Sequence, residues 1–178
     1  NLVTSCAEPT IETAQQLMAQ RGVRLLVVTG GAGVVQAAFA SGKKVIAAGP
    51  GNPPVVVDET ADIEKAARDT VAGASLDNNV ICTDEKTTIV VESVADRLIQ
   101  AMVANGAYLL KEHELKKLER VIFKEMGPPN KPGMINPTLI GKNASVILAE
   151  IGIAVDRDVR LVIAEVPREH NLVWTEQM

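Results

Sequence analysis

Arg24-Leu25-Leu26-Val27-Val28-Thr29-Gly30-Gly31-Ala32-Gly33 is the stretch on which the fold turns. Leu25 to Val28 form a continuous apolar run, the pattern of a strand buried on both faces. Thr29 to Gly33 then break it with a tight glycine turn into a helix expected over residues 34–40. Ser41-Gly42 caps that helix, and Lys44-Val45-Ile46-Ala47-Ala48 is the next strand. Upstream, Leu2-Val3-Thr4 carries a short strand signal, and Thr10 is placed to N-cap a helix whose Ile11, Ala14, Leu17 and Met18 recur at helical spacing before Gly22. Residues 1–48 therefore read β-α-β-α-β, which predicts a parallel sheet with right-handed crossovers.

Gly49-Pro50-Gly51-Asn52-Pro53-Pro54 is the strongest punctuation in the chain, so the expected domains are residues 1–50 and 51–178. Beyond it, residues 54–57 read as a strand, and a helix begins near Asp62 with Ile63, Ala66, Ala67 and Val71 on one face. A strand is expected near Ile89, a helix over 94–104 closed by Asn105-Gly106, and a charged helix over 112–125 with an apolar stripe of Leu115, Leu118, Val121 and Ile122. Residues 127–142 read as an irregular connection, followed by a helix over 145–151 and a strand over 159–164. The class is α/β.

Composition narrows the function. Of the 178 residues, 47% are hydrophobic and 2% aromatic, so the core must be built from Val, Ile, Leu and Ala. The net charge is −4, no Lys/Arg stripe offsets it, and aromatics for base stacking are scarce; this argues against nucleic-acid binding. Two cysteines make no disulfide framework, and no Cys/His cluster has zinc spacing, so no metal is expected. No apolar run reaches membrane-spanning length and no signal segment is present, which predicts a soluble protein of a reducing compartment. Starting at Asn1 and stopping at Met178, the chain reads as an excerpt from a longer polypeptide.

Three features can carry chemistry. The Thr29-Gly30-Gly31-Ala32-Gly33 turn offers free N–H groups at a helix N-terminus to an anion such as a pyrophosphate. It fails as G-x-G-x-x-G because Gln36 stands in the third position, and a turn that needs glycine for its own geometry accounts for it as well. Cys82, reached through Asp77-Asn78-Asn79-Val80-Ile81 at a helix-to-strand junction, is placed to enter a cleft as a nucleophile; a buried cysteine that only packs is the competing reading. Cys6, read within an apolar strand, is expected only to pack, and His113 and His170 are expected to be solvated. Glu176, beside Trp174, can bind ligand hydroxyls or be a surface acid.

Taken together, Thr29-Gly30-Gly31-Ala32-Gly33-Val34-Val35, Ala48-Gly49-Pro50-Gly51-Asn52-Pro53-Pro54 and Asp77-Asn78-Asn79-Val80-Ile81-Cys82 resemble the CoA-acylating aldehyde dehydrogenases, nearest those of ethanolamine and propanediol utilisation. The resemblance implies a parallel Rossmann-type sheet followed by an α/β catalytic domain, both incomplete. Residues 1–50 would be the later part of an NAD-binding domain, and 51–178 the first part of the catalytic domain. Cys82 matches the nucleophile. Thr29, Gly30, Gly31 and Gly33 match the cofactor turn, Gly49 the loop beside the nicotinamide, and Glu176 the carboxylate on the nicotinamide ribose.

Where hydrolytic relatives carry a water-activating glutamate, Ala48 stands here, which favours CoA over water as acyl acceptor. The resemblance thus implies oxidation of acetaldehyde or propionaldehyde to acyl-CoA by a homo-oligomer in the cytoplasm or a bacterial microcompartment. The aldehyde-oxidising part of a bifunctional aldehyde–alcohol dehydrogenase, and a non-catalytic scaffold, are the alternatives.

Overall fold

Short apolar strands alternate with helices along the chain, and in the computed structural model, which describes residues 2–49, 51–156 and 158–176, they form two compact units, residues 1–50 and 51–178.

In the first unit, α1 (Ile11–Ala19), β1 (Leu25–Thr29), α2 (Ala32–Ala40) and β2 (Lys44–Ala48) follow in order. The Thr10 hydroxyl accepts from Thr13 N, and Thr13 Oγ1 accepts from Thr10 N, so both threonines satisfy N–H groups that the helix leaves orphaned. β1 and β2 pair in parallel with Leu25 opposite Lys44 and Thr29 opposite Ala48. α2 packs on both strands with Ala38 fully buried. Leu26 is buried, but Leu25, Val27 and Ile46 are exposed, so the sheet is covered on one face among the described residues, where burial of both faces is the sequence expectation.

Leu2-Val3-Thr4 forms no strand: Leu2 and Val3 lie exposed, with no ladder partner among the described residues to satisfy an extended backbone. Cys6 is accordingly not a packed strand residue. It is exposed, and its Sγ donates to Glu8 O.

The second unit opens with a parallel β-α-β turn of chain: β3 (Pro54–Val57), α3 (Ile63–Ala74) and β4 (Thr87–Val90), with Pro54 opposite Thr87. Asp62 caps α3 by accepting from Lys65 N. Ile63, Ala67, Thr70, Val71 and Ala74, spaced at helical intervals, form its buried stripe. α4 (Glu92–Ala104) presents Val94, Leu98, Ala101 and Met102. These two stripes, with Val57 and Ala107, make the principal core, and its alanines let the helices approach closely.

Beyond α4 come β5 (Ala107–Leu109), α5 (Glu112–Ile122), β6 (Phe123–Glu125), β7 (Met134–Ile135), α6 (Ala144–Ala149), β8 (Leu161–Ile163) and α7 (Asn171–Trp174). β5 pairs in parallel with β8, β6 antiparallel with β7, and Leu110, Leu118 and Leu148 form a second core.

The charged helix therefore ends at Ile122 rather than 125. Phe123 turns extended and is buried opposite Ile135, a non-local pairing that outweighs local helical continuity. The stretch read as an irregular connection contains β7, and the three-residue β5 and four-residue α7 are too short to show a period. Among the described residues, no helix is long and apolar enough to cross a membrane.

Leu98 is 1% exposed at the centre of the principal core, so Leu98→Ala should cost about 3 kcal/mol in urea unfolding.

A second expectation concerns pH. Glu114, buried at the start of α5, accepts from Lys111 N at 2.8 Å and from the Tyr108 hydroxyl at 3.3 Å. The Lys111 N–H holds its carboxyl below the usual glutamate value, against the effect of burial, with the Tyr108 hydroxyl adding to the lowering. A lowered folded-state value means that the stabilisation is complete above the ordinary glutamate range and is lost as pH falls through the lowered value. Glu114→Gln should therefore lower the melting temperature near neutrality and flatten its fall below about pH 4.

Candidate active site

The loop from α3 to β4 is built on an unusual backbone. After α3, a 3-10 turn spans Leu76–Asn79, in which Asp77 (φ 48°, ψ 37°) and Asn78 (φ 55°, ψ 37°) are left-handed. Asn79 follows at φ 67°. Three consecutive non-glycine residues in this region cost roughly 1 kcal/mol or more each, and Asp and Asn are the side chains that tolerate it best. The Asp-Asn-Asn run thus shapes the arch that delivers Cys82. Asn78 Nδ2 ties it to Gly141 O at 3.0 Å and to Asn143 Oδ1 at 2.8 Å.

Cys82 sits at the exposed tip of a turn that Asp84 closes. Asp84 N donates to Ile81 O at 3.1 Å, and Ile81 N donates back to Asp84 Oδ2 at 3.2 Å. Asp84 is 4% exposed, so the turn is braced from below while Cys82 stays open to solvent. Among the described residues nothing accepts from the Cys82 N–H.

Lys86, at the foot of β4, is held by its own N–H donating to Pro53 O at 3.0 Å. Its ammonium donates to Asn79 O at 2.8 Å, Asn79 Oδ1 at 2.5 Å and Ile81 O at 3.2 Å. Burial pushes the Lys86 ammonium below the ordinary lysine value, opposed by the charges of Asp84, Glu176 and Cys82. Those three groups therefore share one electrostatic neighbourhood.

Glu176 reaches that neighbourhood through α7. Asn52 Nδ2 donates to Val173 O at 3.1 Å and Thr175 O at 2.7 Å, and Gly133 N donates to Thr175 Oγ1 at 2.8 Å. Gly51 N donates to Glu176 Oε1 at 3.4 Å. At the other end of α7, His170 Nδ1 accepts from Leu172 N, which leaves Nε2 to donate to Glu119 Oε1 at 2.6 Å. His170 is 14% exposed in its side chain and structural, where the sequence reading has it solvated. The Trp174 indole donates to Arg168 O.

In the first unit, Thr29 lies opposite Ala48, and Gly30 N donates to Ala48 O at 3.3 Å. Gly30 has φ +154°, and a Cβ there would meet Val34 Cγ1 at 2.8 Å, so the close crossing from β1 to α2 requires glycine. Gly31 is the N-cap of α2 without a side-chain cap, Gly33 lies in the first turn, and that turn carries no acid. This leaves an open positive helix end. Gly49 directly follows Ala48 at the end of β2.

The structure thus gathers Thr29, Gly30, Gly31, Gly33, Ala48 and Gly49 at one end of the first unit, and Cys82 and Glu176 near one ammonium in the second. Lys86 and Asp84 are absent from the sequence reading, and Asn52 enters it only as part of the punctuation and motif of residues 49–54, with no role of its own. The one available signal was a lysine four residues after the cysteine, which has no helical or strand period to mark it.

Residues 1–120 match the aldehyde dehydrogenase family. The chain belongs to that family. It is 47% identical over 179 residues to the acetaldehyde dehydrogenase (acetylating) EutE of Escherichia coli K12, covering 100% of this chain and 38% of that relative. It is 48% identical over 179 residues to the propanal dehydrogenase (CoA-propanoylating) of Salmonella typhimurium LT2, covering 100% of this chain and 37% of that protein. The crystal structure of Rhodopseudomonas palustris propionaldehyde dehydrogenase with bound CoA and an acylated cysteine matches 95% of this chain and 37% of its own, at 44% identity and a TM-score of 0.82. The chain therefore spans just over a third of the length of these relatives.

Because the arch rests on the Asn78 amide, Asn78→Ala should cost about 2 kcal/mol in urea unfolding, part from lost hydrogen bonds and part from backbone strain. Asn78→Gly, which keeps the left-handed backbone, should lose only about half as much.

Proposed function

We propose that this chain is part of an enzyme that oxidises a short aliphatic aldehyde, acetaldehyde or propionaldehyde, to its acyl-CoA with NAD⁺ and CoA. The observation that carries the reading is Cys82 itself: an exposed thiol at the tip of a braced turn, within the electrostatic reach of a partly buried ammonium. Likeness to the acetylating and propanoylating dehydrogenases supports the substrate class.

In this reading, the Cys82 thiolate attacks the aldehyde carbon, forming a C–S bond while the carbonyl electron pair moves to oxygen. The Cys82 N–H donates to that oxyanion. Oxidation of the thiohemiacetal needs a hydride acceptor, the chemistry a nicotinamide cofactor supplies when bound. The thiol of CoA then attacks the resulting thioester, and Cys82 leaves as thiolate.

Residues 1–50 act as the later part of an NAD-binding domain, and 51–178 as the first part of the catalytic domain. The open α2 N-terminus fits a pyrophosphate held by Thr29, Gly30, Gly31 and Gly33, because the space where a Cβ of Gly31 or Gly33 would stand is open to a ligand and no acid in the first turn repels it. Gly49 would border the nicotinamide of such a cofactor, and the Glu176 carboxylate would accept from the hydroxyls of its ribose. Ala48 ends β2 in a methyl group, which cannot activate water, so the acyl group passes to a thiol.

The test is NADH formation from acetaldehyde and propionaldehyde by the full-length protein, with and without CoA. CoA-dependent turnover should fall at least about 1,000-fold in Cys82→Ala. Free acid as the main product without CoA, or turnover that survives Cys82→Ala, would overturn the proposal.

A further inference from the structure

The Lys86 ammonium is unusually committed. An ammonium has three protons to donate, and here all three have acceptors in the segment just before the cysteine: Asn79 O, Asn79 Oδ1 and Ile81 O. The Lys86 backbone is itself fixed, since Lys86 N and Thr87 N both donate to Pro53 O at the start of β3. A rigid strand end therefore projects a cation that grips the last left-handed residue of the arch and the first residue of the Cys82 turn. Asp84 from the same loop, Glu176 from beyond α7, and Cys82 act electrostatically on that cation. Asp84 is already engaged by Ile81 N, and Glu176 by Gly51 N.

We infer that Lys86 is a positioning residue for Cys82: its ammonium clamps the Asn79–Ile81 segment so that the thiol is presented at the turn tip, and it places a positive charge beside the sulfur. The inference rests on Cys82 as the nucleophile and adds the residue that prepares it. Two effects follow from one group. Clamping fixes where Sγ sits, and the charge favours anions that approach it, whether a thiolate, an oxyanion or an incoming anionic reagent.

Alkylation separates these effects without any need for turnover. Iodoacetamide is neutral and iodoacetate anionic, so the ratio of their rates at Cys82 reads the local charge, and each rate alone reads accessibility and geometry. The experiment uses the full-length protein at pH 7, with modification of the Cys82 peptide followed by mass spectrometry so that Cys6 does not interfere. In Lys86→Met the iodoacetate-to-iodoacetamide ratio should fall about fivefold. Lys86→Arg, which keeps the charge, should hold the ratio within about twofold of the native protein. In the aldehyde assay, Lys86→Met should lower kcat about tenfold while KM for the aldehyde moves less than about twofold.

An unchanged ratio in folded Lys86→Met would overturn the inference. Should that variant not fold, Asn79→Gly decides: it keeps a backbone at ease at φ 67° and deletes only the Oδ1 acceptor. There the rates of both reagents should fall about threefold with their ratio retained, and unchanged rates would overturn the clamp. Failure of the enzymatic reading looks different. A Lys86-dependent ratio in a protein with no CoA-dependent turnover supports the charge that Lys86 brings to Cys82 and removes the proposed reaction.

Discussion

The packing of α3 against α4 is the contact on which the second unit depends. Ala67 and Val71 of one helix meet Leu98, Ala101 and Met102 of the other, and nearly every one of these side chains is withdrawn from water. Each fully buried aliphatic side chain contributes about 1.5–3 kcal/mol relative to exposure. That seam fixes where α3 ends and, through β3 beneath it, where β4 begins. The loop carrying Cys82 therefore hangs between two anchored points, Ser75 at the buried end of α3 and Lys86 on the Pro53 carbonyl.

Between those anchors the chain takes a route that local preference opposes. Three left-handed residues cost roughly 3 kcal/mol together. Hydrogen bonds oppose that cost, since one to a charged group contributes about 1.5–3 kcal/mol and a neutral one about 1. Lys86 provides three of the charged kind and Asn78 two of the neutral kind, against the cost of partly desolvating the ammonium. The arch is thus held by polar contacts at its own edges rather than by burial, which is why Cys82 can remain open to solvent. A core-packed loop would have the same rigidity but would hide the thiol.

Strong periodic segments were legible in advance. The stripe of α3, the helix α4 closed by Asn105-Gly106, the apolar runs of β1 to β4 and the cap at Thr10 all follow from local spacing and side-chain chemistry. Misreadings fall where a distant partner decides. Leu2-Val3-Thr4 has strand composition and no neighbouring strand among the described residues, whereas Phe123 has a helical context and a strand partner in Ile135. His170 reads as a surface histidine, yet Glu119, 51 residues earlier, meets its Nε2. Cys82 and the glycine turn stood out because a thiol at a junction and glycines at a strand end are rare local choices; nothing local marked Lys86, and the motif around Asn52 did not reveal that its amide reaches the carbonyls of Val173 and Thr175.

Periodicity and functional-group chemistry alone carry the α/β class, the order of the major elements, and the choice of the glycine turn and Cys82 as candidate site residues, because no folding can supply a period or a thiol that the chain lacks. It takes the folded chain to show that Asp77, Asn78 and Asn79 bend left-handed, that Lys86 grips that bend, and that Glu176 and Cys82 both act electrostatically on its ammonium. The reason is physical: hydrogen bonds and electrostatic fields depend on distance in space, and the separation of Cys82 from Glu176 along the chain carries no information about it.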